Sequence, residues 1–254
     1  PESAAFLSKR SPAYLGTTAQ FLVMPELKRN FDDLTEAVRR GGVSASGNTV
    51  AAENPIWVEF ARAMVPMMMP AAQAMGDLFA NSLTGPARVL DIAAGHGMFG
   101  ITLARRLPRA EIVAVDWAPV LAVARENARA NGVHDRYRVL EGDAFAVEFG
   151  AGYDVALITN FLHHFDAATC TTLLRKVHAA LKPGGSVVIL EFVPNPDRVS
   201  PPIPAGFSLS MLAGTPAGDA YTLAELRKQL ESAGFANITV HQLPIPETIL
   251  LAQK

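Results

Sequence analysis

The chain has 254 residues, half of them hydrophobic and 18% charged, with a net charge of −2 and a pI near 6.3. That length suits one large domain, or one domain with a helical extension. The lack of a basic excess argues against nucleic acid or an anionic membrane as the main partner, and the lone Cys170 rules out an internal disulfide, which suits a reducing, cytoplasmic setting.

No run reaches the roughly 20 apolar residues of a membrane span. Pro1-Glu2-Ser3 lacks the basic-then-apolar pattern of a signal peptide. The first part reads as helices. Pro25 suits a first helical position, Leu27, Phe31, Leu34 and Val38 follow at helical spacing, and Gly41-Gly42 stops the run. Residues 41–54 are rich in Gly, Ser, Asn and Thr and read as a loop. Asn54 then resembles an N-cap with Pro55 behind it, opening a long apolar helix to about Leu83, kinked at Pro66 and Pro70. Met64, Met67, Met68, Met69 and Met75 on it are expected in the core, with a flexible wall for an acceptor as the alternative.

From Arg88 the pattern alternates between β-rich and helical runs, the mark of βαβ units and a parallel sheet. Strands are expected at 88–92, 111–115, 137–140, 154–158 and 186–191, with helices near 98–107, 119–130 and 167–181. Gly132 and Pro183-Gly184-Gly185 are read as terminators of the last two helices. Thr222-Leu223-Ala224-Glu225 fits a capping box, and its helix closes at Gly234. Strands at 237–243 and 248–252 are joined by Pro244-Ile245-Pro246-Glu247, too short for a crossover, so they pair antiparallel. The expected fold is α/β: a Rossmann-like, seven-stranded, mostly parallel sheet with an antiparallel C-terminal hairpin, preceded by an α-helical segment.

Val89-Leu90-Asp91-Ile92-Ala93-Ala94-Gly95-His96-Gly97 is an apolar strand entering a Gly-rich turn and a helix. Such a turn lets a ligand lie against the backbone, and the helix N-terminus favours an anionic group. Gly95, Gly97 and Gly100 also satisfy the dinucleotide spacing G-x-G-x-x-G. Asp116, ending the second strand, suits both ribose hydroxyls of either kind of cofactor, with Trp117 next to it. Asp91 discriminates. A carboxylate there repels a pyrophosphate but suits an ammonium. The turn also lacks Lys and Arg. Both features favour S-adenosyl-L-methionine, which carries an ammonium, a carboxylate and a sulfonium but no phosphate.

Gly142-Asp143-Ala144-Phe145 follows the third strand; Asp143 could accept from an adenine amino group, or form an Asx-turn, and Phe145 could pack on the ring. Thr159-Asn160-Phe161-Leu162-His163-His164-Phe165 follows the fourth, beyond the strand ends where such sheets bind ligands. His164 is expected to be an exposed neighbour, His96 a backbone-orienting or exposed residue, and Cys170 a buried small apolar one. His134, His178 and His241 lack metal-ligand spacing, and no metal is expected.

These motifs, with Leu181-Lys182-Pro183-Gly184-Gly185 before the fifth strand, resemble the class I methyltransferases from about Arg88 to the C-terminus. Within them the chain looks most like the small-molecule O-methyltransferases of the plant caffeate, bacterial and acetylserotonin type. His163-His164-Phe165 and Val188-Ile189-Leu190-Glu191-Phe192 match that family's fourth- and fifth-strand motifs. The resemblance implies that His163 is a general base, that Glu191 orients it, and that Asn160 touches the adenosine side. Two departures stand out. The family's second acid falls on Ala220, with Asp219 beside it. The family's N-terminal winged-helix dimerisation domain is also lacking, so the chain reads as a fragment: residues 1–80 a helical dimerisation and substrate-cap remnant, and 81–254 the catalytic domain. The expected activity is O-methylation of a hydroxyl on a small molecule by a homodimer. C- or N-methylation, a non-catalytic cofactor-binding protein and an NAD-dependent oxidoreductase are the alternatives.

Overall fold

A computed structural model of the chain describes residues 2–254 apart from 12, 44–47, 52–53, 80–82 and 84. The division expected between residues 80 and 81, and part of the loop expected at 41–54, lie outside the described residues.

The chain opens with α1 (Glu2–Leu7), α2 (Gly16–Leu22), α3 (Pro25–Asp32), α4 (Leu34–Arg40), α5 (Ile56–Ala63) and α6 (Val65–Phe79). The run expected from Pro25 breaks at Asp33, and Gly41 closes α4 in a left-handed conformation, φ 81°. Phe31 and Val38, from the expected apolar stripe, are 47% and 58% exposed. Asn54 Oδ1 accepts from the Ile56 N–H at 3.1 Å, so the expected cap forms while the helix begins one residue later. The single long helix expected there is two, broken at Met64. Pro66 has no N–H to return to the carbonyl four residues back, so the ladder restarts with Pro66 in the new first turn, where proline is tolerated. Met64, Met68 and Met75 are buried, as the core reading expected, while Met67 reaches the surface.

The second part alternates β1 (Ala87–Ile92), α7 (Met98–Arg106), β2 (Ala110–Asp116), α8 (Ala118–Ala130), β3 (Tyr137–Glu141), β4 (Tyr153–Thr159), α9 (Ala167–Ala180) and β5 (Leu181–Phe192). It ends with α10 (Pro202–Gly214), α11 (Leu223–Ser232), β6 (Ala236–Gln242) and β7 (Glu247–Gln253). The strands form one seven-stranded sheet in the order β3-β2-β1-β4-β5-β7-β6. β1 to β5 run parallel, and β7 is antiparallel to both β5 and β6, the topology expected from the sequence.

Strand alternation divides the core. Val89, Leu157, Val188 and Leu190 join Met68, Met75, Phe79, Ile101 and Leu103 on one face. Leu90, Ile92, Ile158 and Ile189 join Leu173, Val177, Leu226 and Leu230 on the other. α5 and α6 therefore share a core with the sheet. Buried on both sides, β1, β4 and β5 read as nearly continuous apolar runs, as parallel strands do.

Two further features, around β5, depart from the sequence reading. Pro183-Gly184-Gly185 does not end α9, which stops at Ala180; these residues lie inside β5, whose register with β4 shifts there. A Cβ on Gly185 would sit 2.9–3.2 Å from the carbonyl oxygens of Lys182, Tyr153 and Asp154, so only glycine fits. The second feature is α10, for which no helix was expected. Pro202, Pro204 and Gly206 resemble a loop, and apolar residues occur all round it, with Met211 buried and Ile203 and Leu209 exposed. The capping box of α11 forms, Thr222 N–H donating to Glu225 and the Glu225 N–H to Thr222.

Candidate active site

The Gly-rich turn connects β1 to α7 at the carboxyl end of the sheet. Gly95 (φ 57°) and Gly97 (φ 75°) hold left-handed conformations that make the turn tight. A Cβ on Gly97 would lie 2.5 Å from Tyr137 Oη. Asp116 Oδ2 accepts from the Gly95 N–H at 2.8 Å, and its Oδ1 from the Trp117 N–H at 2.7 Å. The acid expected at the ribose thus also braces the glycine turn. Burial pushes its carboxyl up to about 6, against the pull of those two N–H groups.

Asp91 is fully buried. Its Oδ2 accepts from the Gly100 N–H at 3.1 Å, and its Oδ1 has no partner among the described residues. Burial lifts its pKa to about 8; the Gly100 N–H opposes this and Asp116 adds to it. An enclosed carboxyl with an empty acceptor position, beside turn glycines and a second acid, fits a ligand bearing an ammonium and hydroxyls. His96 is buried rather than exposed: its Nδ1 accepts from the Met98 N–H at 3.0 Å, and burial lowers its pKa to about 4. It orients the backbone as a neutral ring.

The neighbouring loops close round this turn. The Gly142 N–H donates to the Asp116 carbonyl at 2.9 Å. Asp143 Oδ1 accepts from the Phe145 N–H at 2.8 Å, an Asx-turn, which occupies one of its oxygens. Phe145 stands edge-on to Phe165 at 4.9 Å. Lys176, which the sequence did not single out, donates from Nζ to the carbonyls of Ala144 and Phe145 at 3.0 and 2.9 Å and so fixes that loop. Trp117 borders a cleft shared with Val58, Pro119 and Val120. Asn160 takes a positive φ of 52°, contacts Met68 Sδ through Nδ2 at 3.5 Å, and leaves Oδ1 buried without a partner among the described residues.

His163 and Glu191 meet. His163 Nδ1 lies 2.5 Å from Glu191 Oε2, and both residues are buried, at 4% and 2% exposure. Glu191 Oε1 accepts from the N–H groups of Phe161, Leu162 and His163 at 3.0, 2.9 and 3.4 Å. One carboxylate therefore holds both the turn that carries the histidine and the imidazole itself. The same loop is tied from behind by Cys170 Sγ to the Leu162 carbonyl at 3.1 Å, and by Tyr221 Oη to the Phe165 carbonyl at 2.5 Å. Cys170 is buried, as expected, and burial foremost pushes its thiol up to about 12. With Nδ1 toward Glu191, the neutral ring keeps its lone pair on Nε2 and can accept a proton there.

Ala220 is buried, and Asp219 pairs with Arg198 at 2.7 Å, so Asp219 is committed to a surface network that also includes Glu225. His164, expected to be exposed, is buried too. Trp57 and Phe207, neither singled out from the sequence, flank the pair: Trp57 lies edge-on to His164 at 5.1 Å, and Phe207 edge-on to His163 at 4.8 Å. Both come from elements distant in sequence, so spacing alone carried no signal for them.

The O-methyltransferase domain profile matches residues 31–236. A tetracenomycin polyketide synthesis 8-O-methyl transferase of Streptomyces glaucescens is 27% identical over all of this chain and 75% of its own length. Against other curated relatives the chain spans about half their length, 47% and 50%. A Nostoc punctiforme PCC 73102 protein, solved as a candidate O-methyltransferase, is 48% identical, with a TM-score of 0.96 over all of this chain and 77% of that one. Human N-acetylserotonin methyltransferase, solved in complex with its S-adenosylmethionine cofactor, shares the fold at a TM-score of 0.85 and 22% identity over 99% of this chain and 74% of that one. The chain belongs to the S-adenosylmethionine-dependent O-methyltransferase domain family.

Proposed function

We propose that this chain methylates a hydroxyl of a small aromatic or other natural-product molecule, with His163 as general base. The buried contact between His163 and Glu191 carries this reading. When bound, S-adenosyl-L-methionine supplies a methyl group made electrophilic by its sulfonium. Asp91 would hold the ammonium, and Asp116 the ribose hydroxyls. Gly95 and Gly97 let the amino-acid end lie against the turn. Gly142, Asp143, Ala144 and Phe145 would hold the adenine, with Trp117 and Asn160 beside it. These groups align the reactants, which is the larger part of the task in a displacement. His163 Nε2 takes the proton of the acceptor hydroxyl, and Glu191 fixes the tautomer and stabilises the imidazolium.

The test is kinetic. A general base contributes about 10²–10⁴-fold, so His163→Ala should lower turnover within that range and leave cofactor affinity nearly unchanged. Glu191→Gln should cost less turnover, because its amide oxygen can still accept a hydrogen bond. Full turnover by His163→Ala on the true acceptor would overturn the assignment and favour an amine or an acidic carbon as the methylated atom.

Residues 1–80 form the dimerisation and substrate-cap segment of this reading, and 81–254 the catalytic domain. Among the described residues no helix is long and apolar enough to cross a membrane; we place the protein in the cytoplasm, as a homodimer that acts on neither nucleic acid nor membrane.

A further inference from the structure

One buried acid near the site takes no part in the steps above. Glu247 opens β7, is 3% exposed, and pairs across the sheet with Phe192 at the end of β5. Leu190 and Ile249, two residues further in on the same strands, belong to the core face that Met68 and Met75 of α6 cover. Alternation therefore turns Phe192 and Glu247 to that face as well, side by side. Phe192 stacks on Phe207 of α10 at 4.2 Å, and Phe207 stands edge-on to His163 at 4.8 Å. The acid thus lies at the far end of a two-ring aromatic wall that leads to His163. Its carboxyl accepts from its own N–H, and no ion pair or hydrogen bond from another described residue reaches it. Neither oxygen is among the enclosed unpartnered atoms, so the spare acceptor position borders open space rather than packed atoms. Burial foremost raises its pKa above the ordinary value; its own N–H opposes this and Glu191 adds to it. A carboxylate taken out of water without a cation is costly, and buried charges are ordinarily paired.

We propose that Glu247 selects the methyl acceptor by pairing with a basic nitrogen, borne at the end of the molecule remote from the hydroxyl that approaches His163. The inference rests on the proposed function and adds a substrate class to it: phenols with an amine on a short side chain. An ammonium supplies the missing countercharge, which a neutral donor does not. The ring spacings of 4.2 and 4.8 Å along Phe192, Phe207 and His163 set the reach, which one aromatic ring and a short chain cover. Asp219 and Glu225 offer no such site, because Arg198 already pairs with both.

Binding is the test, with S-adenosylhomocysteine present so that turnover does not enter. The probes are tyramine and tyrosol, phenols of one shape that differ in an ammonium against a hydroxyl, followed by calorimetry. The native protein should bind tyramine roughly tenfold or more tightly than tyrosol. Glu247→Gln, which keeps the size and removes the charge, should erase that difference, and Glu247→Asp, which keeps the charge on a shorter stem, should restore part of it. Cofactor affinity in each variant checks the fold. Equal binding of the two probes by the native protein, no binding of either, or a tyramine preference that survives in Glu247→Gln would overturn the proposal. Failure of methyl transfer to any hydroxyl, with the tyramine preference intact and dependent on Glu247, would instead overturn the general-base reading.

Discussion

At the scale of single residues, the proposed cofactor site turns on Asp116 and Asp91. Asp116 is bonded to the Gly95 and Trp117 N–H groups and retains lone pairs for a ligand. Removing it strands those donors and, on the proposed reading, the ribose hydroxyls as well. Asp116→Ala should weaken S-adenosylhomocysteine binding by about 1.5–3 kcal/mol, roughly tenfold or more; calorimetry showing unchanged affinity would remove Asp116 from the site. Asp91 gives a pH dependence. Folding raises its pKa from 3.8 to about 8, so between those values the native chain holds a proton that the unfolded chain has lost. The cofactor-free chain should therefore lose stability as pH rises through that window. An ammonium ligand prefers the carboxylate, so binding near pH 7 must release that proton, and affinity should rise from about pH 6 to pH 8. Calorimetry in buffers of different ionisation enthalpy would show the release. A pH-independent affinity with no proton released would mean the ammonium does not sit on Asp91.

At the scale of elements, the β1–α7 turn carries the tightest steric demand. Gly97 combines a positive φ with a neighbouring phenol that leaves no room for a methyl group. Gly97→Ala should destabilise the chain by about 1–3 kcal/mol through backbone strain and the Tyr137 clash. It should also weaken cofactor binding at least tenfold, since on the proposed reading the amino-acid end of the cofactor rests on this turn. Chemical denaturation and calorimetry together test this; a variant equal to the native chain in both would show the turn to be more compliant than its geometry implies. The loop after β4 follows a different logic. Its three N–H groups converge on Glu191 from the next strand, so His163 is positioned by a neighbour in the sheet rather than by its own segment.

At the scale of the whole molecule, the N-terminal helices present Phe6, Leu7, Leu22, Val23, Phe31 and Val38 to solvent, at 43–75% exposure. Apolar helix faces of this kind usually bury against a partner. The proposed homodimer should therefore form through this region. Light scattering should give twice the monomer mass for the full-length protein at micromolar concentration, and Val23→Asp should weaken it. A monomer under those conditions would refute the dimer.

Sequence alone determined the alternating core of the fold. Apolar runs bounded by glycine and proline fixed β1 to β5, a short link fixed the antiparallel hairpin, and Asp91 beside a glycine turn selected an ammonium-bearing cofactor over a dinucleotide. His163 and Glu191 were legible through family motifs, because His163 lies in the loop that follows β4 and Glu191 near the end of β5, both at the carboxyl edge of the sheet. Local signals failed where residues far apart in the chain set the outcome. α10 forms despite Pro202, Pro204 and Gly206 because tertiary packing buries its Met211 side. His164 reads as exposed until Trp57 from α5 covers it, and Asp219 reads as a substitute acid until Arg198 claims it. Those contacts join segments tens of residues apart, and no spacing or period records which side chains folding brings together.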